Sequence, residues 1–166
     1  LEDRTDQYRG FTNIGPSVDY LEHAFDEAKY GWYSSRPYLD CAIQSTIDPD
    51  MAPRGKHVMS CFVQWVSYDL KGSDWNAERQ NLGDTVQRTL ESFFPGFGKL
   101  VLQREVVTPL DIEQKAGLTE GNIFHGEFLA PQMFMFRPAP GYADYRTPIR
   151  GYYQCGSGTH PGGCVS

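Results

Sequence analysis

Apolar and polar positions change period several times along this chain, and each change marks an element. Val18, Leu21, Phe25 and Ala28 recur at helical spacing, with Asp19 and Glu22 in the first turn. Ser17 stands where an N-cap belongs and Gly31 just past the end, so a helix is predicted between them. After Arg36-Pro37, Leu39, Cys41 and Ile43 alternate with Asp40, Ala42 and Gln44, the pattern of a half-buried strand. Residues 48–56 carry three turn signals and read as a loop. His57 to Tyr68 is apolar on both faces, Val58, Phe62 and Val66 against Met59, Cys61, Val63 and Trp65. Such a strand is expected in the middle of a sheet.

Ser73 or Asp74 then caps a second helix with a stripe of Leu82, Val86, Leu90 and Phe93, which Pro95-Gly96 stops. Lys99 to Val107 reads as a third strand. Thr108-Pro-Leu-Asp111 has the spacing of a capping box with proline at the first helical position, and Gly117 closes that short helix. Residues 1–16 are polar and irregular. From Gly121 onward the periodicity fades into an aromatic stretch, Ile123 to Phe136, interrupted by Pro131 and followed by Pro138 and Pro140. Tyr152 to Cys155 reads as a buried strand that opens into Gly156-Ser-Gly-Thr-His-Pro-Gly-Gly163, a turn whose backbone N–H groups can approach a ligand closely. The fold class expected is α+β, a mixed and largely antiparallel sheet with packed helices.

Composition narrows the function. At 166 residues, 40% hydrophobic and 14% aromatic, the chain can bury the core of one domain. A net charge of −6 argues against nucleic acid as a partner and gives no attraction to anionic lipid. No apolar run is long enough to span a bilayer. The four cysteines, Cys41, Cys61, Cys155 and Cys164, form no C-x-x-C pair, and two lie in expected strands; this usage suggests a reduced, cytoplasmic protein.

Three chemistries can be tested against the glycine-rich end. Gly156-Ser-Gly-Thr-His-Pro161 nearly spells a dinucleotide fingerprint, but Pro161 replaces the third glycine and no βαβ unit follows. Cys155, His160 and Cys164 offer zinc-like donors with too few ligands unless His125 joins them, so no metal is expected. Cys164 with His160 as base lacks the local signature of a thiol hydrolase. His23 and His57 read as surface or structural. No acid–base pair of diagnostic spacing appears, and no catalytic residue is assigned.

Read together, three stretches resemble the carboxyl-terminal part of the phytoene-desaturase-like FAD-dependent oxidoreductases, relatives of the flavin amine oxidases. They are Gly117-Leu-Thr-Glu-Gly-Asn-Ile-Phe-His-Gly-Glu127, Phe136-Arg-Pro-Ala-Pro140 leading to Tyr145-Arg-Thr-Pro-Ile149, and Gly151-Tyr-Tyr-Gln-Cys-Gly-Ser-Gly-Thr-His-Pro-Gly-Gly163. Upstream, Ile47 to His57 and Thr108 to Glu113 fit the same pattern. The resemblance implies a two-domain flavoprotein. Residues 1–150 would be substrate-binding domain, and 151–166 the last strand and glycine-rich turn of an FAD domain whose amino-terminal G-x-G-x-x-G unit this chain lacks.

On this resemblance FAD is the cofactor, Gly156, Ser157, Gly158, Thr159, His160, Pro161, Gly162 and Gly163 face it, and Phe124, His125, Phe134 and Phe136 line a cavity for an apolar small molecule. Many members of the family carry a third glycine where this chain has Cys164. The chain by itself is expected to be inactive, needing the other FAD-binding half as its partner. The rival expectation is a cofactor-free interaction module that uses the aromatic segment 123–136. An unpaired strand edge would favour a homodimer.

Overall fold

A computed structural model describes residues 8–163. The chain divides into two compact units, Leu1–Val106 and Val107–Ser166, and each is described by itself. Cys164, weighed above as a nucleophile and as a zinc ligand, lies outside the described residues.

In the first unit, β1 (Phe11–Ile14), β2 (Tyr33–Ala42) and β3 (Ser60–Val66) form a three-stranded antiparallel sheet in the order β1-β2-β3. Helix α1 (Val18–Lys29) connects β1 to β2, and α2 (Trp75–Phe93) follows β3. Ser17 caps α1 by accepting from the Tyr20 N–H, and Gly31 leaves the helix at a φ of +90°. Asp74 caps α2, its carboxylate taking the N–H groups of Asn76 and Ala77. The core gathers Ile14, Leu39, Cys41 and Leu90, with Met59, Cys61, Val63, Val86 and Phe97 packed around them.

Four expectations change. The sheet is centred on β2, not on the strand after His57; among the described residues β3 pairs only with β2 and leaves Phe62 45% exposed. Its apolar residues have separate uses: Cys61 and Val63 pack on the core, and Trp65 meets Phe25 of α1 edge-on at 5.8 Å. Residues 11–14, read as irregular, are a strand in which Ile14 alone is buried, so no alternation could announce it. Residues 101–107 join no ladder. Side chains of α2 hold them instead, Arg79 donating to the Val106 carbonyl at 2.8 Å and Asp84 pairing with Arg104 at 2.8 Å. The buried face of α2 is also rotated from the aliphatic stripe. Thr85 and Thr89 are buried with Leu82 and Leu90, their hydroxyls donating to the Asn81 and Thr85 carbonyls, while Phe93 is 43% exposed.

The second unit opens with α3 (Pro109–Ala116), closed at its start by the predicted capping box. The Thr108 hydroxyl accepts from the Asp111 N–H, the Asp111 carboxylate accepts from the Thr108 N–H, and Gly117 ends the helix at a φ of +69°. Beyond Gly117 the unit is made of turns. A fifth correction falls here: Tyr152 to Cys155 is not a buried strand. Tyr153 makes one isolated bridge with Arg146, and Tyr152 and Tyr153 are exposed along with Cys155. A strand needs a continuous ladder, and one bridge does not supply it. Among the described residues no helix is long and apolar enough to cross a membrane.

Candidate functional site

The glycine-rich turn is organised from outside by a residue that the sequence patterns did not single out. Arg137 is 4% exposed, yet its partners are four backbone carbonyls and, among the described residues, no carboxylate. Its guanidinium donates to Phe124 at 2.5 Å, Gln132 at 2.7 Å, Ser157 at 2.8 Å and Glu127 at 3.3 Å. One planar fork thus ties the aromatic segment to the turn, which a single ammonium could not do in the same geometry. The Phe136-Arg-Pro-Ala-Pro140 stretch contained this residue, but nothing in the spacing marked it as buried.

The turn folds on itself around Thr159, which is buried and donates to the Gly156 carbonyl through both its N–H and its hydroxyl. The Gly163 N–H reaches back to the Ser157 carbonyl at 3.3 Å, and the Pro161 carbonyl accepts from the Phe134 N–H at 2.8 Å. The glycines have distinct reasons to be there. A Cβ at Gly163 would lie 2.8 Å from the Phe128 ring, and one at Gly162 would lie 3.2 Å from the Arg137 side chain. A Cβ at Gly156 would meet nothing within 4 Å, and its φ of +98° is its only evident demand for glycine. Two glycines therefore admit the chain's own side chains, and one faces open space.

The backbone N–H groups of Gly156, Gly158, His160 and Gly162 donate to no acceptor among the described residues. A buried ring nitrogen, His160 Nδ1, has no hydrogen-bond partner either. Unpaired donors on a tight turn make a surface that an oxygen-rich ligand can occupy. Around it, His125, Phe134 and Tyr145 all hold positive φ, at 59°, 52° and 66°. Each such residue costs about 1–3 kcal/mol and persists only where surrounding structure over-determines it. Each of them touches the turn. The His125 ring lies 3.3 Å from the Cβ position of Gly158, Phe134 donates to Pro161, and the Tyr145 and His160 rings meet edge-on at 6.3 Å.

The four residues expected to line a cavity are placed unequally. Phe124 stacks at a tilt on Phe128, centroids 4.7 Å apart, and borders Gly163. His125 borders Gly158. Phe134 approaches the turn through its backbone while its ring is exposed, and Phe136 is half exposed. Phe128 is the ring that the sequence pattern did not single out. In the first unit, an open depression of about 420 Å³ is lined by Asp84, Gln87, Arg88, Glu91, Gly98 and Lys99 and holds none of these residues. Glu91 there accepts from the N–H groups of Gly98 at 2.7 Å and Gly96 at 2.6 Å, which hold its carboxyl below the usual range. That carboxylate fastens the turn after α2.

No protein-family model matches the chain. Comparison with curated proteins finds 45% identity over 147 residues, 87% of this chain and 25% of the relative, with pyridine nucleotide-disulfide oxidoreductase domain-containing protein 2 of Rattus norvegicus. A limonene dehydrogenase component of Castellaniella defragrans is 30% identical over 125 residues, 72% of this chain and 23% of that protein. Phytoene desaturase (lycopene-forming) of a Paracoccus species is 28% identical over 118 residues, 70% of this chain and 23% of that protein. The chain thus spans about a quarter of the length of the curated relatives it matches. All three relatives carry oxidoreductase names, which supports kinship with oxidoreductases of the FAD type.

Proposed function

We propose that this chain is the substrate-domain portion of an FAD-dependent oxidoreductase related to the phytoene desaturases, and that its glycine-rich turn meets the flavin. The observation that carries the reading is the similarity to oxidoreductases over most of this chain and only about a quarter of theirs. On this reading residues 1–150 serve the substrate side, and 151–166 join the cofactor domain of a longer protein.

The turn suits the group. Its unengaged N–H donors match the carbonyl and phosphoryl oxygens that FAD presents, and Gly156 leaves its backbone accessible. FAD, when bound, supplies the hydride acceptor that no side chain provides. The chain's own residues hold and orient. Arg137 fixes the height of the turn against the aromatic segment, and within Gly156 to Gly163 the N–H groups of Gly156, Gly158, His160 and Gly162 present the donors. Phe124, His125, Phe134 and Phe136 border an apolar small molecule, and the chain alone is inactive because the rest of the FAD site belongs to the other part of the protein.

The test is a calorimetric titration of the purified chain with FAD, read beside the visible spectrum of the full-length protein. The expected result is flavin in the full-length protein and affinity of the chain alone weaker than micromolar, about −8 kcal/mol. Tight binding by the chain alone would overturn the divided site, and a colourless full-length protein would overturn the flavin.

One observation favours a second reading, a cofactor-free interaction module. Within the segment 123–136, Phe128, Leu129, Phe134, Met135 and Phe136 are all exposed. A full-length protein without flavin that still binds a partner through this segment would select it.

A further inference from the structure

Cys41 in β2 and Cys61 in β3 stand directly opposite each other in the antiparallel register, with their Sγ atoms 3.5 Å apart. Both are free thiols. Cys41 is buried in the core with Ile14, Leu39 and Leu90, whereas Cys61 packs on that core and keeps part of its surface in solvent. Neither takes part in the glycine-rich turn, which lies in the other unit.

We propose that Cys41 and Cys61 are a peroxide-sensitive oxidation site, in which Cys61 is attacked first and Cys41 resolves it to a cross-strand disulfide. Directly opposed residues of an antiparallel pair have Cα atoms about 4.5–5.5 Å apart, inside the roughly 4.4–6.8 Å span that a disulfide bridges. The sulfurs can therefore close the remaining gap by side-chain rotation while the ladder stays paired.

The surroundings give the two thiols different roles. The Cys41 thiol donates its hydrogen bond to Cys61, which raises the Cys41 pKa, and burial pushes it further. The same hydrogen bond stabilises the Cys61 thiolate and lowers its pKa despite partial burial. The thiolate is the nucleophile, so the more exposed and more acidic Cys61 reacts first. Its sulfur attacks one oxygen of hydrogen peroxide, the O–O bond breaks, and the departing hydroxide takes a proton to become water. Cys61 is then a sulfenic acid. The Cys41 sulfur attacks the Cys61 sulfur, the S–O bond breaks, and the expelled hydroxide removes the Cys41 proton as a second water. The two thiols lose their two hydrogens and the peroxide is fully reduced.

The experiment treats the reduced, purified chain with equimolar hydrogen peroxide, alkylates the remaining thiols and maps the peptides by mass spectrometry. The expected result is an intact mass lower by two hydrogens and a linked peptide pair containing Cys41 and Cys61. Cys155 should remain alkylated, and dithiothreitol should restore the original mass. In Cys41→Ser, Cys61 should be trapped as sulfenic acid by a cyclic 1,3-dione. Oxygen accumulating on Cys61 with Cys41 still alkylated in the wild-type chain would overturn the proposal. So would a linkage that runs to Cys155. The wild-type map decides even if the variant fails to fold.

Discussion

Replacing Arg137 with methionine keeps an unbranched stem in the same space and removes every donor from a site that is 4% exposed. Four carbonyls lose this donor, three of them held at 2.8 Å or less, and the Ser157 carbonyl keeps the Gly163 N–H at 3.3 Å. Hydrogen bonds to a charged donor contribute about 1.5–3 kcal/mol each, and a buried acceptor left unpaired costs its desolvation. Counting the three short bonds at the low end gives a loss of about 4 kcal/mol, because water entering the gap will recover part of the rest. The loss should be local. It should appear as faster amide exchange at Phe134, Thr159 and Gly163, whose N–H groups are engaged in or across the turn.

Hydrogen exchange read by mass spectrometry measures this directly, with peptides of the first unit as the reference in the same sample. A loss of about 4 kcal/mol corresponds to opening roughly 10³-fold more often. Arg137→Lys keeps the charge but reaches fewer carbonyls, and should recover less than half of the protection. Acceleration below tenfold in Arg137→Met, or full protection in Arg137→Lys, would refute the claim that this guanidinium holds the turn.

Two further perturbations test the first unit. Burial first, and then the hydrogen bond to Glu78 at 2.8 Å, push the Tyr33 phenol up to about 12 from its ordinary value near 10. A raised folded value means that this stability is fully present below pH ~10 and is lost as pH climbs towards about 12. Ultraviolet titration should show a late phenol that Tyr33→Phe removes, and a Tyr33 ionising at the ordinary value would contradict the account. Leu39→Ala opens a cavity at the centre of the sheet, where Leu39 is 0% exposed, and should lower unfolding stability by about 2–5 kcal/mol in denaturant titrations. A shift under 1 kcal/mol would mean that the core collapses around the gap.

Helices were more legible than strands because their signals are local. Ser17, Asp74 and Thr108 each cap a helix within four residues of chain, and the structure uses all three. Sheet position is not local. The two-sided apolar character of β3 suggested a central strand, but a neighbour in the ladder is supplied by distant sequence. The same apolar residues serve equally to meet a helix, as Trp65 does with Phe25. Val101 to Val107 has the composition of a strand and is spent on contacts with α2, a tertiary choice that β-propensity cannot foresee.

The site was half legible for a related reason. Glycine announces backbone freedom without saying what fills the space it leaves. Gly162 and Gly163 read as clearance for a ligand, and their nearest neighbours are Arg137 and Phe128. Arginine is the converse case. Its usual place is the surface, so a buried one gives no sign in sequence until the carbonyls that it satisfies are known. The two facts belong together. Backbone carbonyls that converge from Phe124, Glu127, Gln132 and Ser157 create the acceptor site, the glycines let the guanidinium reach it, and four N–H groups of the clamped turn have no acceptor among the described residues. On the proposed reading, the flavin is what these donors and the positive φ of His125, Phe134 and Tyr145 would serve.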